Sequence, residues 1–150
     1  PNEGLKVFYR ISNDEVIELL INLRHSAERE LADVSLLLNT FLTGKDKLEP
    51  IAREELLERV NNNLVTVIDV RPVEEFNAGH VPGAINVPLV DLHKHLDKLG
   101  NKKEIVAYCR GPHCVLAFDA VSELRKKGLA ARRMEDGFPE WKHSGMPVEN

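Results

Sequence analysis

The residues of this chain best suited to chemistry lie in one short stretch, CRGPHC, residues 109–114. The stretch holds both cysteines of the 150-residue sequence, with an arginine, a histidine and a Gly-Pro pair between them. It could form a metal site, a structural disulfide, a pair of packed cysteines or a loop that holds one reactive thiolate. Zinc usually takes four ligands at shorter spacing, and disulfides are rare in reducing compartments. Inert cysteines would fit a helix or strand better than a Gly-Pro loop, so the reactive thiolate is favoured.

The position of this stretch indicates which cysteine reacts. It follows the apolar run 105–108 and precedes the amphipathic run 115–127, which Gly128 ends, so a strand, a loop and a helix are expected. In parallel sheets ligands bind at the carboxyl ends of strands, where loop amides and a helix N-terminus stabilise negative charge. We therefore predict Cys109 as the nucleophile. The other predicted loop and substrate-binding residues are Arg110, Gly111, Pro112, His113 and Cys114.

The rest of the sequence after residue 50 alternates between two kinds of pattern. β-Branched and apolar runs predict strands at 64–70, 84–87, 104–108 and 130–134. Helical periodicity predicts helices at 52–60, 73–78, 89–99, 115–127 and 139–143. This alternation predicts an α/β fold with a mostly parallel sheet and helices on both faces.

The first 43 residues have a different pattern. Ser12 and Glu15 have the spacing of a helix capping box, and a heptad-like apolar seam follows them. The seam consists of Val16, Leu20, Leu23, Ala27, Leu31, Val34, Leu38 and Phe41. It predicts one helix from about residue 14 to 42, on the order of 40 Å long. Such a helix packs on its own domain or pairs with its copy in a homodimer, and the length favours the homodimer.

Two shorter segments flank the predicted helix. The alternating pattern of residues 5–11 predicts a lone strand, and the Gly, Pro and charged residues of 44–50 predict a linker.

Composition limits the classes of function. The net charge of −4 gives no electrostatic reason to expect nucleic acid or an anionic membrane as a partner. No apolar run is long enough to span a bilayer, and the first residues do not resemble a signal peptide. Two cysteines do not form a disulfide framework, so we expect a cytoplasmic protein. Nothing in the sequence indicates a metal or cofactor.

Two further motifs resemble a known family. VIDVRPVEEFNAGHVPGAINVP, residues 67–88, resembles the first signature of rhodanese domains, and DGFPEWKHSGMPV, residues 136–148, resembles their C-terminal signature. The stretch 109–114 falls where such domains carry their catalytic loop. The resemblance implies a rhodanese-like domain over residues 51–150, with a mostly parallel five-stranded sheet.

The same resemblance implies a sulfurtransferase mechanism. Cys109 would take the outer sulfur of thiosulfate or polysulfide as a persulfide and pass it to cyanide or a thiol. Asp69 and Arg71 would support the loop from the neighbouring strand end, or would form a structural ion pair. Many family members have a basic residue where this chain has Cys114, so we expect thiosulfate to be a poor substrate. Cys114 could instead resolve a persulfide on Cys109 into a disulfide.

The N-terminal part has a resemblance of its own. Residues 4–16 are similar to the wing strand and the start of the last helix of ArsR/SmtB-type winged-helix repressors. This implies that residues 1–43 are the end of a winged helix with a dimerisation helix, and that residues 44–50 link it to the second domain. The helix-turn-helix itself is not in this sequence, so DNA would be bound only through an upstream domain. The chain is thus interpreted as a sulfurtransferase domain of a transcriptional regulator. The alternative is a sulfur or redox sensor that does not turn over, in which Cys109 and Cys114 control a dimeric DNA-binding regulator.

Overall fold

A parallel β-sheet forms the centre of the computed structural model, which describes residues 9, 11–41, 50–99 and 103–150. Within these residues the sheet has four strands, in the order β2-β1-β3-β4. They are β1 (Val65–Asp69), β2 (Ile85–Asn86), β3 (Glu104–Tyr108) and β4 (Ala131–Arg133). The predicted parallel α/β sheet is therefore confirmed, but the count differs, since five strands were expected. Beyond β4, Ile51 pairs with Met134 through a single parallel bridge, at the position where a fifth strand would lie.

Helices cover both faces of this sheet, as the sequence predicts. They are α3 (Arg53–Asn61), α4 (Val73–Asn77), α5 (Leu92–Leu99), α6 (Val115–Lys126) and α7 (Phe138–His143). Alternation along β3 divides the core: Ile105 and Ala107 pack with α5 and α6, whereas Val106 and Tyr108 pack with α3 and α7. The period-2 pattern of the strand therefore fixes which side of the sheet the following residue, Cys109, belongs to.

The N-terminal residues differ from the single long helix that the sequence predicts. Two helices are present, α1 (Asp14–Glu30) and α2 (Ala32–Phe41). Leu31 between them is extended, with φ −108° and ψ 98°. The predicted capping box is also wrong, because Asn13 rather than Ser12 caps α1: its side-chain oxygen accepts the Val16 N–H at 3.2 Å.

Other N-terminal predictions fall mostly outside the described residues. Of the predicted strand 5–11, only Tyr9 and Ile11 are described, and neither is in a strand. Of the predicted linker, only Pro50 is described. No helix in the described ranges is both long and apolar enough to cross a membrane.

Candidate functional site

Cys109 directly follows the carboxyl end of β3, one of the two central strands, and begins the loop that leads into α6. The residue is 1% exposed and belongs to the apolar cluster shared with Ala107 and Ala117. Its carbonyl oxygen accepts the Phe138 N–H at 2.9 Å. The strand thus positions this cysteine at the edge of the sheet where ligands of parallel α/β folds bind.

The loop after Cys109 turns back on itself and brings the two cysteines together. Cys109 and Cys114 form a disulfide, with their Cα atoms 6.2 Å apart. Cys114 is the N-cap residue of α6, and its N–H donates to the Gly111 carbonyl at 3.1 Å. The disulfide that the sequence disfavoured as a resting state is therefore present, and Cys114 is only partly buried.

The positive charge of Arg110 is already paired with a carboxylate and is not free to bind an anion. Its guanidinium forms an ion pair with Glu75, with Nη2 2.5 Å from Oε1 and Nε 3.0 and 3.1 Å from the two carboxylate oxygens. The hydrogen bond to Glu75 raises the pKa of the Arg110 guanidinium. An anionic substrate would have to compete with this carboxylate.

Helix α1 contacts the loop and α7 through two charged side chains. Glu28 Oε1 lies 2.6 Å from His113 Nε2. Arg24 Nη1 donates to Glu140 Oε1 of α7 at 2.7 Å, and its Nε lies 3.6 Å from Glu28. Through these contacts α1 packs against the part of the chain that carries the loop.

The C-terminal signature, residues 136–148, packs directly against the loop. A Cβ atom on Gly137 would lie within 3.0 Å of three backbone atoms of Arg110 and Gly111, a separation that real Cβ atoms do not adopt. The Gly137 N–H donates to Glu140 Oε2 at 3.1 Å. Glu140 is buried and accepts from both Gly137 and Arg24, so it joins the motif to α1.

Asp69 and Arg71 form a buried ion pair beside the site. Arg71 Nη2 lies 2.6 Å from Asp69 Oδ2, and Arg71 Nε is 3.0 Å from each carboxylate oxygen. The guanidinium also donates to the Gly79 carbonyl at 2.8 Å and stacks 4.3 Å from the Phe138 ring centroid. The Arg71 guanidinium also lies 5.8 Å from the ring centroid of Tyr108, the residue before Cys109. None of the hydrogen bonds named here involves residues 110–114, so the pair is connected to the loop through Phe138 and Tyr108.

Three other side chains, two in the signatures and one at the end of β3, have structural contacts. His80 Nδ1 donates to the Phe76 carbonyl at 3.1 Å, and its ring stacks on the Phe76 ring. The Trp141 indole is fully buried and donates to the Pro147 carbonyl at 2.7 Å. Burial, and then the charge of Asp69, raise the pKa of Tyr108, whose hydroxyl oxygen accepts the Val81 N–H. These residues hold the framework around the loop.

A pocket of about 580 Å³ lies between α1 and the loop. Its lining includes loop residues 110–114 on one side and the α1 residues Ile17, Leu20 and Ile21 on the other. Cys114 belongs to this lining, whereas the fully buried Cys109 does not. Within the described ranges no group of three His, Cys, Asp or Glu side chains could hold a metal ion.

Sequence reasoning missed five residues of this site: Arg24, Glu28, Glu75, Gly137 and Glu140. The first three are distant in sequence from the loop, and partly exposed charges carry no local sign of their partners, even for Glu75, which lies inside the first signature. Gly137 and Glu140 lie inside the C-terminal signature, so the resemblance of residues 136–148 to that signature could have identified them.

Comparisons with known proteins agree with this geometry. A family model described as rhodanese-like domain matches residues 52–144. The structure is similar to the crystal structure of the BH2092 protein from Bacillus halodurans, with a TM-score of 0.65 and 25% identity, covering 71% of this chain and 80% of that one.

Two curated relatives differ in what their names state. The HTH-type transcriptional regulator Rv0324 of Mycobacterium tuberculosis is 42% identical over 147 residues, which is 98% of this chain and 64% of the regulator. This chain thus spans slightly less than two thirds of that relative. A tRNA sulfurtransferase of Pyrobaculum aerophilum is 34% identical over 76 residues, covering 49% of this chain and 15% of the enzyme.

Proposed function

This chain belongs to the rhodanese-like domain family, and on that premise we propose that Cys109 carries sulfur as a persulfide. The observation that supports this most directly is the position of Cys109 at the carboxyl end of β3, followed by a tight loop and the N-terminus of α6. A helix N-terminus and unpaired amides favour an anionic sulfur. The donor would be thiosulfate or polysulfide, and the acceptor cyanide or a thiol.

The proposed transfer proceeds in two steps from the reduced loop. The Cys109 thiolate attacks the outer sulfur of the donor, a new S–S bond forms, and sulfite or a shortened polysulfide leaves with the electron pair. The acceptor thiolate or cyanide then attacks the outer sulfur of the persulfide and regenerates the Cys109 thiolate. The Cys114 N–H is already used by the Gly111 carbonyl, so in this proposal the N–H groups of Gly111 and His113 would stabilise the persulfide.

Mass measurement of the intact protein tests this proposal. The chain is reduced, freed of reductant and treated with thiosulfate or polysulfide, and we expect one added sulfur atom that is absent in Cys109→Ser. Thiosulfate should load more slowly than polysulfide, because Glu75 occupies the Arg110 guanidinium. If neither donor adds sulfur to the reduced protein or to reduced Cys114→Ser, the proposal is wrong.

The disulfide supports a second candidate function, a sensor that reacts once and does not turn over. Cys114 thiolate would attack the inner sulfur of the Cys109 persulfide, and the outer sulfur would leave as hydrogen sulfide. The sulfane sulfur is thereby reduced, and the two cysteines are oxidised to the disulfide without an external oxidant. Steady turnover with cyanide favours the enzyme, whereas a single conversion to the disulfide favours the sensor.

Replacing Cys114 separates these two fates of the persulfide. In Cys114→Ser we expect a Cys109 persulfide that survives roughly tenfold longer or more, because an intramolecular thiol reacts at a high effective concentration. Time-resolved mass spectra of both proteins after one addition of polysulfide give the two lifetimes. Equal lifetimes, with no loss of two hydrogen atoms in the unmodified protein, would rule out resolution by Cys114.

The regulatory context is also part of the proposal. The apolar side chains of α1 and α2 that are exposed would contact a second copy in a homodimer, and an upstream domain would bind DNA. Apart from Leu20, which lines the pocket, the exposed set includes Val16, Leu19, Leu23, Leu36 and Leu37, with Leu31 between the two helices. The relative named as a transcriptional regulator supports this arrangement. A reduced Cys109 would fit a cytoplasmic location.

A further inference from the structure

The two sulfurs of the disulfide differ in their access to the pocket beside α1. Cys114 is partly exposed and lines the pocket, whereas Cys109 is 1% exposed and lies beneath it. A nucleophile that enters the pocket therefore meets the Cys114 sulfur first. Since thiol–disulfide exchange depends on which sulfur the attacking thiolate can reach, the pocket directs attack to Cys114 and makes Cys109 the leaving group.

The wall opposite Cys114 is apolar and belongs to α1. Ile17 and Ile21 are one helical turn apart, and Leu20 lies between them on the same face. Leu19 points to the other side of the helix and is 66% exposed. A molecule in contact with this wall buries hydrocarbon surface, which favours an alkyl or aryl group over a polar one.

Charges around the pocket do not favour an anionic ligand. Among the described lining residues the two arginines are paired with carboxylates, Arg110 with Glu75 and Arg24 with Glu140. His113 is likewise in contact with Glu28. A strongly anionic molecule would have to displace one of these carboxylates, whereas a neutral apolar thiol would leave the pairs intact.

We propose that this pocket binds a small apolar thiol that opens the disulfide by attack on Cys114. The thiol loses its proton, its sulfur bonds to Cys114 Sγ, and the Cys109–Cys114 bond breaks with the electron pair on Cys109. A second thiol releases the first as a symmetrical disulfide and leaves Cys114 reduced, so two thiols supply the two electrons. The step starts from the oxidised loop and goes beyond the proposed sulfur transfer, so the two can fail separately.

The site of attack can be measured directly on the disulfide form of the full chain. It is treated with 2-phenylethanethiol, and freed thiols are trapped at once with iodoacetamide before digestion. Trypsin cleaves after Arg110 and therefore separates the two cysteines into different peptides. We expect the phenylethanethiol adduct on the Cys114 peptide and the carbamidomethyl group on the Cys109 peptide. The reverse labelling would overturn the proposal.

Selectivity is tested by a second thiol and by matched variants of α1. At equal thiolate concentration, 2-phenylethanethiol should open the disulfide on the order of tenfold faster than anionic 2-mercaptoethanesulfonate. Ile17→Ser and Ile21→Ser should each remove most of this advantage, and Leu19→Ser should keep it. The sulfonate rate in each variant reports whether the loop is still folded. Equal rates for the two thiols in the unmodified protein would contradict an apolar binding site.

Discussion

Replacing Gly137 with alanine is expected to reduce sulfur loading of Cys109 by about a hundredfold, because the new methyl group would displace the loop. The added Cβ would lie within 3.0 Å of backbone atoms of Arg110 and Gly111, and none of them is at the flexible end of a side chain. A shift of about 1 Å in a reacting group can cost roughly a hundredfold in rate. Overpacking of this kind also destabilises a fold by about 1–3 kcal/mol.

Gly128→Ala is the matched control for this effect. Gly128 has φ +79°, and nothing lies within 4 Å of its Cβ position, so alanine strains the backbone without touching the loop. We expect a loss of stability of about 1–2 kcal/mol and an unchanged loading rate. Loading rates by intact mass and urea unfolding of both variants give the comparison. A Gly137→Ala protein that loads sulfur at the normal rate would mean that the loop can move without loss of function.

The central part of the fold could be predicted because its signals are local. The apolar run before Cys109 and the amphipathic run after Cys114 specify a strand, a loop and a helix, and the sheet then places the loop at its carboxyl edge. The predicted boundaries differ from the observed ones by at most three residues, and those of β3 agree at both ends. The order of the elements and the position of the cysteine loop followed from residue types and spacing alone.

The packing of α1 could not be predicted from the same kind of pattern. A heptad-like seam indicates a face that will be buried, but it does not identify the partner. Arg24 and Glu140 are 116 residues apart, and their ion pair depends on the tertiary arrangement. The break at Leu31 has neither proline nor glycine to mark it. Long-range contacts of this kind make α1 one wall of the candidate site.

Replacing Arg71 with methionine is expected to cause the largest loss of stability among the single substitutions. Arg71 and Asp69 are 5% and 0% exposed at their side chains, so removal of the guanidinium leaves a buried carboxylate without its counter-ion. Breaking a buried pair in this way costs about 3–5 kcal/mol, a large part of the roughly 5–15 kcal/mol that stabilises a typical domain. Urea unfolding of Arg71→Met should show a strongly lowered midpoint. The exposed pair of Lys126 and Glu123 provides the control, because Lys126→Met should leave the unfolding midpoint unchanged.

Arg71→Lys separates charge from geometry in the same pair. Lysine keeps the positive charge, but it cannot reproduce the three contacts of the guanidinium with Asp69 or its hydrogen bond to the Gly79 carbonyl. We therefore expect a stability between those of the unmodified protein and Arg71→Met. If Arg71→Lys matches the unmodified protein, the bidentate geometry contributes nothing and charge alone suffices.

The double variant Asp69→Leu with Arg71→Met measures how much of the lost stability comes from the Asp69 carboxylate that is left buried without its counter-ion. Apolar replacement of both partners removes the buried charge and can recover stability. Recovery should be incomplete, because Asp69 Oδ1 also accepts the backbone N–H of Arg71 at 2.9 Å. Sulfur loading measured per folded molecule should change far less than stability in all these variants, since the pair is connected to the loop through the rings of Phe138 and Tyr108 and not through a named hydrogen bond to residues 110–114. A folded Arg71→Met protein that cannot load sulfur would instead make Arg71 a positioning residue for the Cys109 loop.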